Sequence, residues 1–136
     1  MASACLVGVN CRYNGSSKIS APLLEKFLGG EVIPFCPELL AGLGVPRTAM
    51  QMEGGQGFAV LDGTATVKTV TGEDRTAEMV RGASMAADMA GAVKPETIYL
   101  KTGSPSCGWG MHKGKEVVGV TAALLARAGH TIKAVE

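Results

Sequence analysis

The chain has 136 residues, 46% of them hydrophobic, which is enough for one sizeable core but not two, so residues 1–136 are expected to form one domain. The formal net charge is +1 with no basic block, so the phosphate-driven affinity of nucleic-acid binders is not expected and nucleic acid is not an anticipated partner. No apolar run reaches the ~18 residues of a membrane span and no charged-then-apolar leader opens the chain, so a cytoplasmic protein without membrane partners is expected.

In chain order, Ala2 to Val7 is a short apolar strand. Pro22 to Leu28 carries Leu23, Leu24, Phe27 and Leu28 on one side, with Gly29-Gly30 behind, and predicts a short helix with a glycine stop. Glu31 to Phe35 is a second strand, and Pro34, which cannot donate to a ladder, puts it near a sheet edge. Phe58–Leu61 and Ala65–Val70, separated by Asp62-Gly63-Thr64, predict a β-hairpin. A long helix opens after Thr71-Gly72-Glu73-Asp74, capped by Asp74 or Thr76, and runs to about Gly91. Thr97 to Leu100 is a third buried strand. A glycine-rich loop from Thr102 to about Lys115 leads into a helix near Gly119–Ala128, and Thr131–Val135 is the last strand. Strands and helices alternating in this way give an α/β fold: a Rossmann-like three-layer sandwich with a mostly parallel sheet and a small β-hairpin insertion.

In open parallel sheets ligands bind beyond the carboxyl ends of the strands. Cys5 falls at the end of the first strand, Cys36 directly after the second, and Cys107 in the loop after the third. Three cysteines distant in sequence thus reach one rim, in a chain whose compartment favours metal ligation or catalysis over disulfides. Thiolates select zinc, copper(I) or iron–sulfur clusters. Structural zinc uses close Cys-x2-4-Cys pairs, which are absent here, whereas single cysteines from separate loops suit the corners of a cluster. Three ligands for four irons leave one iron open, an arrangement for catalysis. Cys11 is within reach as a fourth ligand, although a place in the core is the preferred reading. Cys5 and Arg12 also invite comparison with a phosphatase loop, but that loop needs Cys-x5-Arg and here six residues intervene.

Ser3-Ala-Cys-Leu-Val-Gly8, Cys11-Arg-Tyr-Asn-Gly15, Phe35-Cys-Pro-Glu38, Gly42-Leu-Gly-Val-Pro-Arg47 and Leu100-Lys-Thr-Gly-Ser-Pro-Ser-Cys-Gly108 occur together along nearly the whole chain. In this combination the sequence resembles the thiouracil desulfidase-type family. The resemblance implies a [4Fe-4S] cluster on Cys5, Cys36 and Cys107 with one open iron. It also implies non-redox removal of sulfur from a small thiolated nucleobase such as 2-thiouracil. The chain departs from the family pattern at Thr48-Ala-Met-Gln51 and in the loop Trp109–Gly114, which bears on the substrate more than on the cluster.

Desulfuration with water needs a proton acceptor and a donor. Glu38, two residues from a ligand, is the candidate acid/base, and the hydroxyls of Ser104 and Ser106 beside Cys107 are candidates to orient substrate or relay a proton. Lys101, Arg12 and Arg47 are candidates to bind a base carbonyl or balance cluster charge, and Tyr13 or Trp109 to stack on a planar ring. Each also has a structural alternative: a solvated charge, a loop-shaping hydrogen bond or simple packing. His112, alone in a glycine loop, is assigned neither metal nor proton. The competing expectation is a non-catalytic sulfur carrier or cluster-binding module that supplies a partner.

Overall fold

A computed structural model describes all residues, 1–136. In chain order, β1 (Ala2–Ser3) runs into a 3-10 turn (Ala4–Val7), followed by α1 (Ala21–Leu28), β2 (Pro34–Phe35), α2 (Pro37–Leu40), β3 (Met50–Glu53), α3 (Gly57–Leu61), β4 (Thr66–Thr69), α4 (Thr76–Val93), β5 (Ile98–Lys101), β6 (Met111–His112), β7 (Lys115–Glu116), α5 (Val120–Arg127) and β8 (Ile132–Val135). The main sheet has the order β2-β1-β5-β8 and all its pairs are parallel. Pro34 therefore lies on an edge strand, where its missing N–H breaks no central ladder.

Alternation along β5 explains the layering. Ile98 and Leu100 are fully buried on one face, against Ala86 and Ala90 of α4 and Ala122 and Leu125 of α5. Tyr99 points the other way, to a cluster formed by Leu6, Leu23 and Phe27, so α1 covers the opposite face. Each large side chain buried in this way contributes about 1.5–3 kcal/mol. The α4 face toward the core is built from Gly82, Ala83, Ala86 and Ala90, and such small residues let α2 and α5 come close.

Two expected features differ. Only Ala2–Ser3 of the first segment is strand, because the chain tightens into a 3-10 turn from Ala4. The hairpin pairs Met50–Glu53 with Thr66–Thr69, whereas Phe58–Leu61 is a turn of helix. A short apolar run fits either state. Here Val60 joins a separate cluster with Val67, Met79, Ala83 and Val120, which ties α3 and the hairpin to α4 and α5. The carboxyl side of the hairpin leads into α4 through Asp74, whose carboxylate accepts the Thr76 amide at 2.8 Å, while the Thr76 hydroxyl accepts the Val67 amide. The hairpin β6–β7 and helix α2 are additions to the expected elements.

Candidate functional site

The strand order reverses at β1, with β2 on one side and β5 on the other. A crevice opens beyond the carboxyl ends of strands at such a point. Here it is a cleft of about 410 Å³, and all four cysteines line it.

Each cysteine is fixed by local backbone chemistry. Cys5 sits in the 3-10 turn directly after β1 and is buried. Cys36 is the residue between β2 and α2 and is the most exposed of the four. Its place depends on Gly82 of α4, because a β-carbon there would overlap the Pro37 carbonyl. Cys107 is held from two sides. The Ser104 hydroxyl accepts the Ser106 and Cys107 amides, both at 3.1 Å, and the Pro105 and Ser106 carbonyls accept the first free amides of α5, those of Val120, Thr121 and Ala122. Gly119 permits this fit, since a side chain there would run into the Ser106 carbonyl. Ser3, buried at the end of β1, accepts the Lys101 amide at 3.1 Å and hydrogen-bonds the Cys107 thiol.

Cys11 lies in the core, as expected, in the buried cluster with Leu6 and Leu23, and it also lines the cleft. It is 3% exposed, shares that cluster with Cys5, and has Cys36 packed against the same cluster. The Cys11 contact holds the Cys5 thiol below its ordinary range, against the opposing effect of burial. Cys36 lowers the Cys11 thiol, but the Cys5 contact and burial outweigh it, and Cys11 is pushed up to about 11. Contact with Cys11, then burial, raises Cys36, and burial raises Cys107. No three His, Cys, Asp or Glu side chains converge closely enough to hold a single metal ion.

The other candidates separate into three groups. Glu38, Ser104, Lys101, Arg12 and Tyr13 line the cleft. The Lys101 ammonium donates to the Thr102 carbonyl and hydroxyl, and partial burial lowers its pKa. Arg47 also lines the cleft, but its guanidinium is engaged by the Glu38 carboxylate at 3.1 Å, the Cys11 carbonyl at 2.8 Å and the Gly44 carbonyl at 3.2 Å. These bonds make it a clamp between the Cys11 loop and α2, while its Nε is buried without a partner. Ser106 falls outside the cleft: it is 1% exposed, and its hydroxyl lies 3.7 Å from the Met79 sulfur. Trp109 packs on the core cluster under β5. Sequence reasoning passed over Lys18, Lys113 and His112, which also line the cleft. Hairpin β6–β7 delivers His112 there, and no hydrophobic period in that glycine-rich loop announces the hairpin.

Comparison with known proteins accords with this arrangement. The family model for 2-thiouracil desulfurase matches residues 1–136. An uncharacterized protein, YbbK, of Bacillus subtilis (strain 168) is 39% identical over 139 residues, spanning 97% of this chain and 92% of that protein. A solved structure of the [4Fe-4S]-dependent thiouracil desulfidase TudS superposes with a TM-score of 0.81 at 37% identity, covering 98% of this chain and 87% of that one. With cysteines from three loops meeting at the switch point of a parallel sheet, and with a match along its whole length, the chain belongs to the 2-thiouracil desulfurase family.

Proposed function

We propose that this protein removes sulfur from a small thiolated pyrimidine base of the 2-thiouracil type, and that Cys5, Cys36 and Cys107 hold a [4Fe-4S] cluster for the purpose. The observation that carries the reading is the meeting of these three cysteines, from three separate loops, in one cleft with the Glu38 carboxylate. The donor set fits the group. It is all cysteine sulfur, which is soft as a ligand, and it comes from three separate loops, as the separate irons of a cluster require. The TudS neighbour, named as [4Fe-4S]-dependent, supports the same assignment.

When bound on three cysteines, the cluster supplies a soft Lewis acid for the thiocarbonyl sulfur at an iron without a protein ligand. The chain's own side chains do the rest. Glu38 presents the carboxylate oxygen that Arg47 leaves free and accepts a proton from the water that replaces sulfur. Arg47 fixes the orientation of that carboxylate. The Ser104 oxygen is occupied by two amides, so its O–H proton is the part left to donate toward the substrate. Lys101 and Arg12 donate to the ring carbonyl, and Tyr13, 45% exposed at the mouth, offers a face for stacking. Thiocarbonyl plus water gives carbonyl plus hydrogen sulfide, so no electrons are transferred overall.

The test is the loss of 2-thiouracil absorbance by anaerobically reconstituted protein. Many turnovers per chain are expected. A loss that stops at one equivalent would mark a sulfur carrier and overturn the enzymatic reading.

A further inference from the structure

Cys11 is the thiol that the proposed reaction leaves unused. Its setting is nevertheless well built. Its carbonyl is pinned by Arg47 at 2.8 Å, and the same guanidinium holds Glu38, two residues beyond Cys36. The backbone of the Cys11 loop is therefore tied to the element that carries Cys36, and Cys36 packs against the buried cluster that holds Cys11. The three other cysteines are buried, whereas Cys36 is half-buried and opens onto the cleft, so access selects it for a small oxidant although its raised thiol makes the reaction slow.

We propose that Cys11 is a resolving cysteine: in the cluster-free protein, a hydroperoxide oxidises Cys36 and Cys11 closes a Cys11–Cys36 disulfide. The electron count balances in two steps. The Cys36 thiol takes one oxygen from hydrogen peroxide, giving the sulfenic acid and water. The Cys11 sulfur then attacks the Cys36 sulfur and displaces the hydroxyl as a second water, so the two thiols supply the two electrons that reduce the peroxide. Closing the bond stops Cys36 short of sulfinic acid, which thiols do not reverse, and a dithiol restores both cysteines. The consequence for cluster loading rests on the reading of Cys36 as a ligand. The disulfide itself does not.

The experiment treats the reduced, iron-free full chain with one equivalent of hydrogen peroxide under argon, followed by tryptic mass mapping. Cleavage at Arg12, Lys26 and Arg47 puts Cys5 and Cys11 in the peptide 1–12 and Cys36 in 27–47. A cross-link between these two peptides, with fragmentation placing it on Cys11, is expected, along with its persistence in Cys5→Ser. In Cys11→Ser and Cys11→Ala the cross-link is expected to vanish, and a second equivalent of peroxide is expected to carry Cys36 to the sulfinic acid, a gain of two oxygens. An internal Cys5–Cys11 bridge, or sulfinic acid at Cys36 in the unmodified chain, would overturn the proposal. A second arm adds iron and sulfide to the oxidised protein, where loading is expected only after dithiothreitol. Full loading with the cross-link intact would leave the resolving role standing and overturn Cys36 as a cluster ligand.

Discussion

The Arg47 guanidinium lies 3.1 Å from the Glu38 carboxylate and 2.8 Å from the Cys11 carbonyl, with side chains 8% and 13% exposed for Arg47 and Glu38. One side chain thus joins the loop after β1 to the start of α2 and aims the carboxylate at the cleft. Removing one partner of a nearly buried ion pair leaves the other charge uncompensated, which costs far more than an exposed pair is worth. Arg47→Ala is expected to destabilise the protein by about 3 kcal/mol, read as a lower urea midpoint at unchanged m-value. Arg47→Lys keeps the charge but not the fork that spans three acceptors, and is expected to fall between the two.

Ser104 is expected to matter twice. Ser104→Ala takes the acceptor from the Ser106 and Cys107 amides, and losing two such bonds costs about 1–3 kcal/mol. It also removes the donor proposed to face the substrate. Denaturant unfolding measures the first effect, and kcat at matched iron content measures the second. A variant whose stability falls while kcat per iron holds would confine Ser104 to shaping the loop.

Gly82→Ala tests how the Cys36 corner is seated. The added methyl would overlap the Pro37 carbonyl and press the Ala41 side chain at 3.0 Å, so α2 must move off α4. Overpacking of this kind costs about 1–3 kcal/mol. Iron uptake on reconstitution is expected to drop with it, whereas Gly91→Ala, whose added methyl meets open space on the same helix, is expected to leave both unchanged.

Acid sensitivity has one local source at the start of α4. The Thr76 amide holds the Asp74 carboxyl below its usual pKa. A carboxyl depressed in the folded state stabilises it at pH values above the unfolded pKa, and that contribution disappears as pH falls through the folded value. Asp74→Asn is therefore expected to lower the melting temperature at neutral pH and to converge with the unmodified chain as pH falls through the acid range, below the ordinary carboxyl pKa. A constant difference between the two across this range would rule out the charged cap.

Much of this was legible in the sequence, for identifiable reasons. Strand ends sit on one rim of a parallel sheet, so the positions of Cys5, Cys36 and Cys107 after three apolar segments were enough to bring them together. The burial of Cys11 was legible, but its reach to the cleft wall was not, because that depends on a loop that turns back and is pinned by Arg47, a contact between residues 36 positions apart. Ser106 and Ser104 look alike in sequence on either side of Pro105. The difference arises because α5 draws the Ser106 carbonyl under its first turn, which leaves the Ser106 side chain facing Met79. Phe58–Leu61 was misread because four apolar residues carry no period, and its helical state is set by packing on α5.

The most direct measurement is iron and acid-labile sulfide per chain after anaerobic reconstitution, across single serine variants of the four cysteines. About four of each are expected in the unmodified protein. The same content is expected in Cys11→Ser, with loss of the cluster and of 2-thiouracil turnover in Cys5→Ser, Cys36→Ser and Cys107→Ser. Full iron and sulfide in Cys107→Ser, or undiminished turnover by iron-free protein, would contradict the assignment.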